Sequence, residues 1–147
     1  MRVLVTGASG LVGRALCAAL QSAGHQVMRG GRQAQGPGAV VTGELGPDCT
    51  WFDGIDCPDV IVHLAARVHQ MSEDPSRAET LHRVANTEGT MALAQRAAAR
   101  GVRRFIFLSS VKVNGEGRGE PYRADDPPAP VDAYGRSKAA AEAGLLA

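Results

Sequence analysis

The sequence predicts an α/β fold, a doubly wound parallel sheet with flanking helices. Short apolar runs occur at Val3-Leu4-Val5, Val60-Ile61-Val62 and Phe105-Ile106-Phe107-Leu108, without the alternation of a half-exposed strand. Unbroken runs of this kind belong to strands covered on both faces, as in parallel sheets. Longer stretches with helical spacing separate them, and strand followed by helix in repetition builds βαβ units.

The first strand opens at residue 2. Leu11, Val12, Ala15, Leu16, Ala19, Leu20 and Ala23 then share the spacing of one helix face, and Gly24 offers a stop. Val27-Met28 and Val40-Val41 read as short strands, with Trp51-Phe52 as a small hydrophobic anchor for the connection that follows. Pro58 and Asp59 punctuate the approach to Val60–Val62. A helical stretch from about Glu79 to Arg100 carries Leu81, Val84, Met91 and Leu93, and Gly101 ends it. The strongest strand signal is Phe105–Leu108. Asn114 to Val131 holds three glycines and four prolines, a long loop with no core pattern. Asp132 is placed to cap a last helix, Ala133 to Leu146.

Bulk properties exclude several classes of function. The 147 residues suit one domain, with 44% hydrophobic and 21% charged residues. A net charge of +1 and 4% aromatics give no electrostatic or stacking basis for a nucleic-acid or anionic-membrane partner. Cys17, Cys49 and Cys57 form no Cys-x-x-Cys pair and cannot all pair within the chain, so a reduced, cytoplasmic setting is expected. The apolar run at the N-terminus is too short for a signal peptide, and no stretch approaches the ~20 residues of a membrane span. His25, His63, His69 and His82 lack metal-ligand spacing, and no metal is expected. Asp125-Asp126 sits before a proline pair and reads as loop, not as a paired-carboxylate site.

The chemistry begins at Thr6-Gly7-Ala8-Ser9-Gly10-Leu11-Val12-Gly13, between the first strand and the first helix. Gly7 permits the tight turn, Gly10 lets backbone N–H groups approach a pyrophosphate, and Gly13 allows close helix–sheet packing. A diphosphate would sit at the positive end of the helix starting near Leu11. The context, after a strand and before an amphipathic helix, distinguishes this from a chance glycine triplet.

The Gly-x-x-Gly-x-x-Gly spacing resembles the extended short-chain dehydrogenase/reductase superfamily, the NAD-dependent epimerase/dehydratase branch. The likeness recurs at His63-Leu64-Ala65-Ala66, at Asn86-Thr87-Glu88-Gly89-Thr90, from Phe105 to Gly115, and at Tyr134-Gly135-Arg136-Ser137-Lys138. It implies a Rossmann-type NAD(P)-binding domain over residues 1–147. Cofactor contacts are implied for Gly7, Ser9, Gly10, Leu11, Val12 and Gly13 of the turn, and for Leu64, Ala65 and Ala66. Asn86, Ser109, Tyr134 and Lys138 complete that set, together with Arg32.

The choice between NAD and NADP stays open at this stage. An acid after the second strand selects NAD, and an arginine there accommodates the 2′-phosphate of NADP. Here Gly31 stands where the resemblance expects an aspartate, and Arg29 or Arg32 could clamp a phosphate.

Tyr134 and Lys138, four residues apart, share one helix face. Phenol ionises near pH ~10 unperturbed, and a neighbouring ammonium favours the phenolate, so Tyr134 becomes a usable base. Ser110, at the carboxyl end of the Phe105–Leu108 strand, aligns as the catalytic hydroxyl. The dehydratases of the family carry an Asp-Glu pair after this position, whereas Val111-Lys112 follows here, which disfavours dehydration. Lys112 reads as a solvated loop lysine, with contact to a substrate phosphate as the alternative.

The resemblance implies a sugar-nucleotide epimerase of the UDP-glucose/UDP-N-acetylglucosamine 4-epimerase type, acting by transient hydride transfer on a nucleotide-sugar. An NADP-dependent ketone or aldehyde reductase and a non-catalytic dinucleotide-binding module are the alternatives. It also implies a further strand and a C-terminal substrate domain beyond the Tyr-x-x-x-Lys helix, both absent from these residues, so weak or no turnover is expected of them alone. Homodimerisation through the helices carrying Asn86 and Tyr134 is a further implication of the resemblance.

Overall fold

The computed structural model describes residues 1–68 and 75–147, so His69 lies outside the described residues. Five parallel strands form one sheet: β1 Arg2–Thr6, β2 Gln26–Gly31, β3 Ala39–Val41, β4 Val60–His63 and β5 Arg104–Phe107, in the spatial order β3-β2-β1-β4-β5. The helices are α1 Leu11–Ser22, α2 Pro75–His82, α3 Gly89–Ala99 and α4 Ala133–Leu146. β1 is central, with Val3 in register with Val27 on one side and Val60 on the other.

Alternation along the strands divides the core between two faces. Leu4, Val40 and Ile61 pack with Leu93 and Ala97 of α3. Val3, Val5 and Val27 pack with Cys17 of α1, flanked by Leu16 and Leu20. Both faces of β1 are thus covered, as the unbroken apolar runs predict. The connection after β3 is anchored by Phe52, which is fully buried, with Trp51 edge-on to it. Arg100 lies over the Phe52 ring at 4.8 Å and donates to the Phe52 and Ile55 carbonyls.

Gly24 and Gly101 end their helices at φ +77° and +75°. In each case the glycine N–H and the next N–H turn back onto carbonyls of the last turn, Gln21 and Leu20 in one, Ala98 and Ala97 in the other. Asp132 caps α4 as its position suggests, its carboxylate accepting the Gly135 N–H at 2.6 Å.

Three expectations are corrected. The buried side of α1 is Gly13 and Cys17 with Leu16 and Leu20; Leu11 is 83% exposed and Val12 50%, because the packed side of the helix begins at Gly13, set against the backbone of Gly7 and Ala8. The helix expected from Glu79 begins at Pro75 and is broken at Arg83–Glu88 by a π turn before α3. β5 is not covered on both faces: Ile106 and Leu108 are exposed, since β4 is its neighbour in the described sheet and α1 lies over the other half.

Candidate dinucleotide-binding and catalytic site

Chain connections leave β1 in one direction towards β2 and β3 and return to β4 and β5 on its other side, which opens a crevice at the carboxyl ends of β1 and β4. The glycine turn lines it. Gly7 has φ +69°, and a Cβ there would lie 2.8 Å from the Ala65 amide nitrogen. A Cβ on Gly13 would lie 2.3 Å from the Gly7 carbonyl oxygen. Gly10 donates to that same carbonyl at 3.0 Å and begins α1 with no side-chain cap. Side chains at these glycines would fill the space that backbone N–H groups need to reach a phosphate. Just past the carboxyl end of β5, the Ser109 hydroxyl is buried and has no hydrogen-bond partner. A cradle kept free of Cβ atoms and an orphaned hydroxyl fit a bound dinucleotide.

Leu64, Ala65 and Ala66 follow β4 directly, with the Ala65 N–H donating to Thr6 Oγ1 at 3.3 Å. Thr6 Oγ1 also lies 2.7 Å from His63 Nδ1, and His63 Nε2 lies 3.1 Å from Thr90 Oγ1. One proton arrangement satisfies all these groups: Thr6 accepts from Ala65 and donates to Nδ1, and Nε2–H donates to Thr90. Burial, reinforced by the charge of Lys138, pushes the His63 pKa down to about 3, so the ring is neutral.

His63 is in register with Phe107, and their rings stack at 6.1 Å. Over Phe107, 3.9 Å from the ring centroid, lies Lys138 Nζ. Lys138 is 2% exposed, and burial, opposed in part by Glu142, pulls its pKa down to about 8. A continuous series of contacts therefore runs from Thr6, beside the glycine turn, through His63 and Phe107 to Lys138.

Tyr134 stands one turn earlier on α4, half-buried, with the buried His82 ring edge-on at 6.0 Å. The start of α4 is pressed against the segment that carries Ser110: a Cβ on Gly135 would lie 2.6 Å from the Lys112 carbonyl oxygen. Ser110 Oγ accepts the Lys112 N–H at 3.3 Å and caps the short turn Val111–Val113. Lys112 is not simply solvated, since Nζ lies 2.7 Å from Asp132 and 2.5 Å from Glu116. Those two carboxylates, Asp132 foremost, raise its pKa. The serine segment and the tyrosine helix are thus tied by one ion pair and one close backbone approach.

Asn86 sits in the π turn, 2% exposed. Its amide brackets the Arg67 backbone, accepting the N–H at 2.7 Å and donating to the carbonyl at 2.9 Å, and also donates to Ser137 Oγ at 3.0 Å. It therefore braces the crevice segment after β4 against α4. Ser137 in turn donates to the Tyr134 carbonyl at 2.7 Å. The π turn offsets the helix so that this amide meets both elements, a use of such turns common near functional sites.

At the far end of the crevice, Arg29 donates to the Gln35 and Pro37 carbonyls, whereas Arg32 pairs with Glu44 at 3.3 Å. Among the described residues no group of His, Cys, Asp or Glu is placed to hold a metal ion, and no helix is long and apolar enough to cross a membrane. All three cysteines are free thiols.

Sequence reasoning missed Phe107, His82, Gly135, Ser137 and Glu44. The glycine at the third position of α4 carried a signal, because glycine inside a helix is costly unless something approaches closely. The other four looked like ordinary strand, helix or loop residues.

A model of the NAD dependent epimerase/dehydratase family matches residues 3–147. The UDP-glucose 4-epimerase of Vibrio cholerae is 40% identical over 152 residues, spanning 99% of this chain and 46% of its own. A short-chain dehydrogenase/reductase superfamily protein from Agrobacterium tumefaciens, solved with bound NAD, superposes with a TM-score of 0.82 at 35% identity over 99% of this chain and 44% of its own. The Thermus thermophilus UDP-glucose 4-epimerase in complex with NAD gives 0.82 at 28% identity, over 99% and 50%. The chain spans about half the length of these relatives.

Proposed function

The chain belongs to the NAD dependent epimerase/dehydratase family, and from that premise we propose that it is the NAD(P)-binding and proton-handling portion of a sugar-nucleotide epimerase of the UDP-glucose/UDP-N-acetylglucosamine 4-epimerase type. The observation that carries this reading is the contact series from the glycine turn through Thr6, His63 and Phe107 to Lys138. It brings a buried ammonium to the carboxyl ends of the strands that line the crevice.

The glycine turn and the uncapped start of α1 hold the diphosphate, with Ser9, Leu11 and Val12 around it and Leu64, Ala65 and Ala66 along the opposite wall. Asn86 acts on this group by holding the Arg67 backbone, and Ser109 offers its buried hydroxyl. Bound there, the dinucleotide supplies a nicotinamide ring that accepts a hydride and returns it. Tyr134 takes the proton of a sugar hydroxyl, Ser110 hydrogen-bonds the same oxygen, and Lys138 favours the phenolate by its charge. Val111-Lys112 stands where the dehydratases of the family carry an Asp-Glu pair, which disfavours removal of water. The substrate is a nucleotide-sugar, and the parts that select the sugar belong to a C-terminal domain like the remaining half of the relatives.

The test is prolonged incubation of the chain, at stoichiometric concentration, with NAD(P) and UDP-glucose, followed by chromatographic separation of the epimers. Slow formation of the galacto epimer, abolished by Tyr134→Phe, is expected. Net consumption of NADPH against a simple ketone, with no epimer formed, would replace the epimerase reading by that of a reductase.

A further inference from the structure

The adenosine end of the crevice opens into a cleft of about 690 Å³ whose walls include Arg14, Arg29, Gly31, Arg32 and Glu44. We propose that this cleft is a 2′-phosphate site: the chain takes NADP(H) in preference to NAD(H), Arg32 grips the phosphate, and Glu44 is the resident counter-ion that the phosphate displaces. The inference rests on the dinucleotide reading above and adds to it the residues that choose between the two coenzymes.

The arginines differ in how they are engaged. Arg14 donates to the Ser9 carbonyl at 2.8 Å, and Arg29 donates to Pro37 at 2.8 Å and Gln35 at 3.4 Å. Both are thereby struts of the cleft wall that still contribute their charge. Arg32 instead meets a carboxylate through a single contact of 3.3 Å, with 71% of its own side chain and 82% of that of Glu44 exposed. A long, single, exposed pair is held weakly in water. A phosphate dianion offers a planar guanidinium two oxygens and twice the charge, so it competes well for Arg32.

Room for the phosphate comes from Gly31. A Cβ there would touch nothing closer than the Ala34 Cβ at 3.9 Å. No carboxylate extends from the end of β2 to repel the phosphate or to take the ribose hydroxyls. Three guanidinium groups against one carboxylate leave the cleft positive overall. Glu44, on the loop after β3, follows Gly43, whose φ of +64° and empty surroundings leave this part of the backbone uncrowded.

Calorimetric titration of the whole chain with 2′,5′-ADP and with 5′-AMP tests the assignment, because the two probes differ only in the 2′-phosphate. The 2′,5′-ADP is expected to bind roughly 10- to 100-fold tighter, the range of a charge-assisted hydrogen-bond pair. Arg32→Ala is expected to bring the affinity for 2′,5′-ADP down to that for 5′-AMP. Glu44→Gln is expected to tighten 2′,5′-ADP several-fold, since the phosphate no longer competes with a carboxylate, and rising salt is expected to narrow the preference. Equal affinities would overturn the proposal. So would a loss of 5′-AMP affinity on Glu44→Gln, which would make Glu44 the acceptor for the ribose hydroxyls and the site one for NAD. If neither nucleotide bound, the dinucleotide reading would fail, and the phosphate assignment with it.

Discussion

Lys138 rests its ammonium 3.9 Å above the ring centroid of Phe107, at the carboxyl end of β5. Burial, opposed in part by Glu142, has already brought the lysine pKa down to about 8. The ring face also stabilises the charged form, and a desolvated cation on an aromatic face gains about 2 kcal/mol.

Phe107→Leu keeps the site apolar and removes the ring. The Lys138 pKa is expected to fall by a further unit or so, since about 1.4 kcal/mol of lost stabilisation of the cation corresponds to one unit. A titration followed on the lysine ε-carbon resonance by NMR reads it directly. An unchanged midpoint would mean that the ring contributes nothing to holding the charge.

The buried His63 makes stability depend on acid. Its folded pKa is about 3 against an ordinary value of 6.5. Below 6.5 the unfolded chain takes up a proton that the folded chain refuses, so stability is complete above that value and declines as pH drops towards 3. The urea midpoint should fall steadily across that window. His63→Gln, which cannot protonate, should flatten this part of the profile; an equally steep decline in the variant would assign it to other groups.

Two glycines of α4 should respond in opposite ways to alanine, although alanine favours helix by about 1 kcal/mol at either. At Gly135 the new Cβ would lie 2.6 Å from a backbone oxygen, that of Lys112, which cannot yield without moving the Ser110 segment. Gly135→Ala is expected to cost about 1–3 kcal/mol and to weaken catalysis with it. At Gly144 the clash, 2.7 Å, is with the sulfur of Met91, on a flexible side chain that can swing aside. Gly144→Ala is expected to be neutral or stabilising. Thermal unfolding of both variants decides it, and a destabilised Gly144→Ala beside an unaffected Gly135→Ala would contradict the packing described.

Much of the framework was legible because local chemistry and tertiary structure agree there. Val3–Val5 and Val60–Val62 are apolar at every position and lie at the centre of the sheet. Gly24 and Gly101 end helices for the reason their residue type suggests, and Asp132 caps α4. Agreement failed where a residue's neighbours come from distant segments. Leu11 and Val12 read as core by spacing, yet both are exposed, because the strand-to-helix turn at Gly7 sets Gly13 and Cys17 on the side of α1 that meets the sheet. The π turn at Asn86 leaves no mark in the hydrophobic pattern, since it arises from an amide that binds Arg67 and Ser137 at once.

By itself the sequence determined the parallel α/β framework, the glycine turn and the placing of Tyr134 and Lys138 one turn apart on one helix, because propensity, periodicity and fixed spacing act within a few residues along the chain. Only the tertiary structure decided that Phe107 carries the lysine, that Lys112 ties Asp132 to the serine segment, and that Arg29 is a strut while Arg32 faces Glu44. The first two depend on distances between segments 20 or more residues apart in sequence. Such distances are set by how the strands order in the sheet, and no local pattern encodes them.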